Sequence, residues 1–149
     1  EYACACGPEV IIKQMTKIHQ FAIMSAPTTS QFAAIEAIVG GESDIQDMRF
    51  EYDIRRTFIV NEFRKMGLSC FEPEGAFYAF PCIKSTGLTS EEFCERLLLE
   101  KKVAAIPGTA FGECGEGFIR VSYCNSLKNL KKATERIKEF IDSLKGRTK

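Results

Sequence analysis

Apolar residues return at helical spacing along most of this chain and alternate with polar ones over a few short stretches. Ile11, Ile12, Met15 and Ile18 share one face of a helix expected over Glu9–Met24. The break Ser25–Ser30 is rich in capping residues. It precedes a second helix that starts near Thr28 or Thr29, carries Phe32, Ala33, Ile35 and Val39, and closes at Gly40-Gly41. Ser43 is the expected cap of a long third helix, with Asp44 and Asp47 in its first turn. Ile45, Met48, Tyr52, Ile59, Phe63 and Met66 mark its apolar face, and Gly67 ends it. Arg55 and Arg56, with acidic neighbours on the same helix, read as part of a solvated face. Thr89 and Glu92 have the spacing of a capping box, and the helix behind them carries Phe93, Leu97 and Leu98 to about Lys101. Ser126 caps the last helix. Its stripe of Leu127, Leu130, Ala133, Ile137, Ile141 and Leu144 lies opposite lysines and glutamates, and Gly146 opens an expected frayed tail.

Strands are expected at Tyr2–Cys6, Leu68–Phe71, Ala76–Phe80, Val103–Ile106 and Phe118–Tyr123, where β-branched and aromatic residues suit a pleated surface. From Gly40 onward the order is helix, strand, strand, helix, strand, strand, helix. That order predicts an α+β fold, a small and mostly antiparallel sheet covered by helices. The first forty residues stand outside this pattern, since one strand without partners leaves backbone groups unpaired. The expected division is therefore residues 1–40, a strand plus two helices, and residues 41–149.

The stretch Val103–Tyr123 holds the oddest residue. A glycine-rich loop, with Gly108, Gly112, Gly115 and Gly117, joins its two strands. In the second strand, Phe118, Arg120 and Ser122 share one face while Ile119, Val121 and Tyr123 share the other. Arg120 is a permanent charge between two β-branched residues. It is either an edge-strand side chain pointing into water or a two-point receptor for a carboxylate.

Charge and composition narrow the chemistry. Twenty basic and twenty acidic residues cancel, which gives no electrostatic footprint for nucleic acid or an anionic membrane. No apolar run approaches the roughly 18 residues of a membrane span, and EYACACGPEV is not a signal peptide. The chain starts without Met, in what reads as the middle of an element, as a piece of something longer would. The seven cysteines are odd in number and contain no Cys-x-x-Cys pair, so a reduced, cytoplasmic protein is expected rather than a disulfide framework or a zinc site. Cys114 lies in the glycine loop with no basic neighbour to activate it. His19 is the only histidine, which leaves no histidine metal cluster and no nearby triad partner. The loop lacks Gly-Lys-Ser/Thr and leads into a strand, so it is not a P-loop. The pairs Glu72/Glu74 and Glu113/Glu116 read as solvated turn acids.

Four segments taken together carry a resemblance: Pro73-Glu74-Gly75-Ala76-Phe77-Tyr78, Thr89-Ser90-Glu91-Glu92-Phe93, Val103–Gly112, and Gly117-Phe118-Ile119-Arg120-Val121-Ser122-Tyr123. Their order and spacing resemble the C-terminal part of class I/II pyridoxal-phosphate aminotransferases of the aspartate aminotransferase type, which are fold type I enzymes. The resemblance covers nearly the whole chain. It implies that residues 1–40 are a remnant of the large cofactor domain and residues 41–149 the C-terminal small domain. It also implies that Arg120 holds the substrate α-carboxylate, that Phe111 is a wall residue at the substrate mouth, and that the enzyme is a homodimer. The parent would move an amino group between an amino acid and a 2-oxo acid. The family's Schiff-base lysine segment and its phosphate-binding and pyridine-nitrogen partners match nothing here, so no catalytic or cofactor-binding residue and no bound pyridoxal 5'-phosphate is expected of this chain alone. Phe77 and Tyr78 are expected in core packing. The other reading is a stand-alone small-molecule-binding or interaction domain with the same fold.

Overall fold

The computed structural model describes residues 3–145. The chain forms two compact units that divide between Met48 and Arg49, inside the third helix.

In the first unit, residues 3–7 form no regular element, so the strand expected at Tyr2–Cys6 is absent from its described part; Tyr2 lies outside the described residues. A single strand has no edge of its own to pair with, and period-two patterning cannot replace one. Helix α1 spans Glu9–Ala22 and α2 spans Thr28–Gly40. Each begins behind a proline whose fixed φ suits a helix entrance, Pro8 and Pro27, with the carbonyls of both accepting the first helical N–H groups. α1 ends short of the expected Met24, because Met24 turns into the left-handed region at φ 68. Neither helix buries a single residue. Phe21 is 88% exposed and Ile38 85%.

Helix α3 spans Glu42–Lys65. Only Gly41 separates it from α2, and the Gly41 carbonyl accepts the Ile45 N–H, so Ser43 lies inside the helix and does not cap it. Its C-terminal half belongs to the second unit and buries Ile59, Val60 and Phe63. Arg55 and Arg56 are mostly covered there, not solvated. Arg56 bonds Asp53 and reaches Glu72 at 2.8 Å, where Arg64 also lies at 3.5 Å, so Glu72 fastens the chain after α3 back onto it.

The sheet has three antiparallel strands in the order β1-β3-β2: β1 Tyr78–Ala79, β2 Ile106–Pro107 and β3 Ile119–Ser122. Tyr78 opposes Ser122, and Ile106 opposes Arg120. The strands are shorter than the sequence pattern predicts. The expected Leu68–Phe71 strand shrinks to one bridge, Cys70 with Pro81, because proline offers no N–H to continue a ladder. Ala76 lies at φ 56, so β1 starts only after that turn. Lys102, at φ 57, ends the helix before β2 and turns the chain, and only Ile106–Pro107 reaches a partner.

Helix α4 spans Ser90–Lys101, with the Thr89 hydroxyl accepting the Glu92 N–H at 3.2 Å. Helix α5 spans Leu127–Lys145, and the Ser126 hydroxyl accepts the Asn129 N–H. Ile119, on the inward face of β3, and Tyr123, directly after it, are buried with Phe63, Leu68, Ile83, Phe93, Leu97, Ile137 and Phe140. Phe93 meets Phe140 edge to face at 5.2 Å. This core lies on the Ile119 side of β3, and Phe118, Arg120 and Ser122 on the other side are only partly buried.

Candidate functional site: an arginine over two aromatic rings

β3 places Arg120 on the outward face, and register does the rest. Tyr78 opposes Ser122, two residues from Arg120, so its ring leans diagonally onto the same face. The Arg120 guanidinium carbon lies 4.3 Å from the centre of the Tyr78 ring. Phe111 also closes in, its ring centre 4.4 Å from the same carbon. Phe80 then braces Phe111 edge to face at 5.6 Å. Both are cation–π contacts, which hold a guanidinium without using its N–H donors. Among the described residues no acidic side chain pairs with Arg120 and no hydrogen bond reaches its guanidinium.

The glycine loop is what brings Phe111 to this place. It is not slack: Gly108–Phe111 and Glu113–Gly115 are two tight 3-10 turns. The backbones of Gly108 and Gly115 lie against each other so closely that a Cβ on either would strike the other's carbonyl. The Gly108 N–H donates to the Phe118 carbonyl at 2.8 Å and the Phe118 N–H to the Gly115 carbonyl at 3.1 Å, which closes the loop at its base. The far end is pinned to α4. The Gly117 N–H donates to the buried Ser90 hydroxyl at 2.8 Å, and the Ser90 N–H donates to the Glu116 carboxylate at 3.0 Å. Glu116 is thus an acceptor at a helix N-terminus, where negative charge is favoured. The glycines serve the loop's own packing, a role the sequence pattern did not indicate.

The core-packing expectation needs correction for both residues: Phe77 is 36% exposed and stands outside the core cluster. Phe77 stacks at 6.1 Å on Tyr52, whose edge meets the buried Tyr123, and Tyr78 gives its face to Arg120. The signal available in the sequence was the register alone: Tyr78 and Arg120 share a sheet face only when β1 pairs with β3 antiparallel as it does. Other candidates are dispersed. His19 lies on α1, and among the described residues no cluster of His, Cys, Asp or Glu could hold a metal. A cleft of about 430 Å³, lined by Ile59, Val103, Asn129, Lys132 and Arg136, does not include Arg120.

The sequence pattern of the family Aminotransferase class I and II matches residues 2–137. This chain belongs to the class I and II aminotransferases. It is 42% identical over 137 residues to the aspartate aminotransferase of Pyrococcus abyssi, covering 91% of this chain and 35% of that protein. It is 37% identical over 141 residues to aromatic-amino-acid aminotransferase 2 of Thermococcus litoralis, covering 93% and 36%. The crystal structure of the aromatic aminotransferase from Pyrococcus horikoshii OT3 superposes with a TM-score of 0.88 at 39% identity, covering 93% of this chain and 37% of that one. The chain therefore spans about a third of the length of the relatives it matches, and its α+β fold is that of the corresponding part of aminotransferases.

Membership in this family implies pyridoxal phosphate in the whole enzyme, and the described residues can be compared with what that group needs. A Schiff-base amine has to be desolvated and unpaired to be nucleophilic. The lysines with described side chains are exposed, apart from Lys101, which pairs with Glu139 at 2.8 Å. Several of the exposed ones are themselves engaged, Lys13 with Glu9, Lys65 with Glu62 and Lys138 with Asp142. Lys84 lies over the Phe118 ring at 5.5 Å. These lysines do not fit the role, and no chemical step is assigned to them.

Proposed function

We propose that this chain is the substrate-carboxylate-receiving, C-terminal part of a pyridoxal-phosphate-dependent aminotransferase. The parent exchanges an amino group between an amino acid and a 2-oxo acid. Residues 1–40 belong to its large domain and residues 41–149 to its small domain. One observation carries the reading: Arg120 lies over the rings of Tyr78 and Phe111 with no acid neutralising it among the described residues. A planar donor of this kind meets both oxygens of a carboxylate at once, and so fixes the orientation of the bond to the α-carbon as well as its position. Phe111, 48% exposed, walls the approach.

The lysines above support placing the cofactor's attachment in another part of the parent polypeptide, with this chain inactive alone. The apolar surfaces of α1 and α2 support an assembly, a homodimer in the parent, and the seven free cysteines support a cytoplasmic setting. Among the described residues no helix is long and apolar enough to cross a membrane. Related chains named for aspartate and for aromatic amino acids match comparably. The choice of substrate side chain accordingly lies outside this match.

The test has two readings. The chain is mixed with pyridoxal phosphate, reduced with borohydride and mapped by peptide. Sparse labelling spread over exposed lysines is expected, and stoichiometric labelling of one lysine would overturn the assignment of the cofactor site elsewhere. Titration with propionate at constant ionic strength, followed by NMR, reads the receptor: saturable binding lost in Arg120→Leu is expected, and equal binding by that variant would sink the receptor role.

A further inference from the structure

We infer that Tyr78 is a positioning residue for the carboxylate site: with Phe111 it fixes the plane of the Arg120 guanidinium, so that a carboxylate is admitted edge-on and in one orientation. This rests on Arg120 being the carboxylate receptor. The argument starts from the stem of an arginine side chain, which is long and flexible and loses considerable rotamer freedom when held. Hydrogen bonds to acids usually do the holding, but among the described residues none reaches this guanidinium. An acid partner would in any case occupy the donors a ligand needs. Ring faces hold the group differently. They attract the cation through the π quadrupole and leave the N–H groups unspent.

The guanidinium carbon lies over both rings, Tyr78 at 4.3 Å and Phe111 at 4.4 Å. The two rings are supported independently. Tyr78 is anchored by its place in β1 opposite Ser122 and by Phe77 at 4.6 Å. Phe111 is anchored by the pinned glycine loop and by Phe80. The ordering cost of the guanidinium is thereby met before the ligand arrives, which is the usual route to affinity through preorganisation. The Tyr78 ring, not its hydroxyl, is the working part.

Arginine Nε–Hε NMR on the folded chain tests this, with the Arg120 signal assigned by its loss in Arg120→Lys. The wild-type signal is expected to be shifted by the two ring currents and to show slowed rotation about the guanidinium bonds. A signal with free-arginine shift and rotation would overturn the proposal without any variant. In the propionate titration, Tyr78→Leu is expected to weaken binding about fivefold to tenfold, the range for releasing one long side chain. Tyr78→Phe, which keeps the ring, is expected to bind within twofold of wild type. If Tyr78→Leu folds and binds like wild type while Arg120→Leu does not bind, the positioning role is wrong and the receptor stands. If Arg120→Leu binds like wild type, the receptor reading itself is wrong.

Discussion

A guanidinium pointing into water from a sheet edge is ordinary; Arg120 stands on the central strand, its guanidinium carbon over two aromatic rings, with no acid paired to it among the described residues. That difference lies in two distances, 4.3 and 4.4 Å, and in the identities of Tyr78 and Phe111. Lysine at this position would keep the charge but lose the planar pair of donors. Arg120→Lys is accordingly expected to weaken propionate binding by about tenfold, roughly the net worth of one charge-assisted hydrogen bond. Calorimetric or NMR titration checks it, and unchanged affinity would mean that net charge alone attracts the ligand. The cysteines divide at the same scale. Burial pushes the Cys94 thiol up to about 11 and raises Cys70 as well, whereas Cys4, Cys6, Cys114 and Cys124 are exposed. In the folded protein at pH 8, the four exposed thiols are expected to react with iodoacetamide and Cys94 and Cys70 to stay unlabelled, as read by mass spectrometry. Cys94 also sets a pH effect. Its folded value lies above the unfolded one, so its contribution to stability is complete below the ordinary thiol range and is lost as pH rises towards about 11. Cys94→Ala is expected to flatten that alkaline decline in thermal melts.

The glycine loop is the element on which the site turns. Its turns are held by backbone contact between Gly108 and Gly115 and by the Ser90–Gly117 and Ser90–Glu116 bonds. Gly108→Ala forces those backbones apart and is expected to cost about 1–3 kcal/mol, with loss of the ring-current shift of Arg120 as Phe111 moves. Gly75→Ala is the control: nothing lies within 4 Å of an added Cβ there, and a change within about 0.5 kcal/mol is expected. Denaturant unfolding separates the two, and equal costs would show that the Gly108–Gly115 contact carries no special weight. Helix ends were legible in the sequence wherever a side chain caps, as at Thr89 and Ser126. Ser43 misled, because the single residue Gly41 between α2 and α3 leaves the helix to begin before the serine can act.

Across the whole molecule, the two compact units differ in what they bury. α1 and α2 bury no residue, while α4, β3 and α5 surround a closed core. Exchange protection follows buried packing, so amides of α1 and α2 are expected to exchange much faster than those of α5 in the isolated chain. Equal protection in hydrogen-exchange mass spectrometry would show that another surface covers those helices. Large apolar residues such as Phe21, Ile38 and Val39 are each exposed, and sedimentation is expected to show association that rises with concentration.

The sequence by itself determined the helices, the α+β class, the alternation that sets Ile119 and Tyr123 on the face opposite Arg120, and the singularity of Arg120, because each depends on spacing within a few residues. It overstated the strands, since a strand exists only where another edge pairs with it: Tyr2–Cys6 lacks one over its described part, and Pro81 cuts another short. The tertiary structure alone decided that Tyr78 leaves the core for Arg120, that the loop glycines pack on one another, and that Glu72 and Glu116 work as anchors. Each of these joins residues far apart in the chain, and such distances are settled by register and packing, which no local pattern encodes.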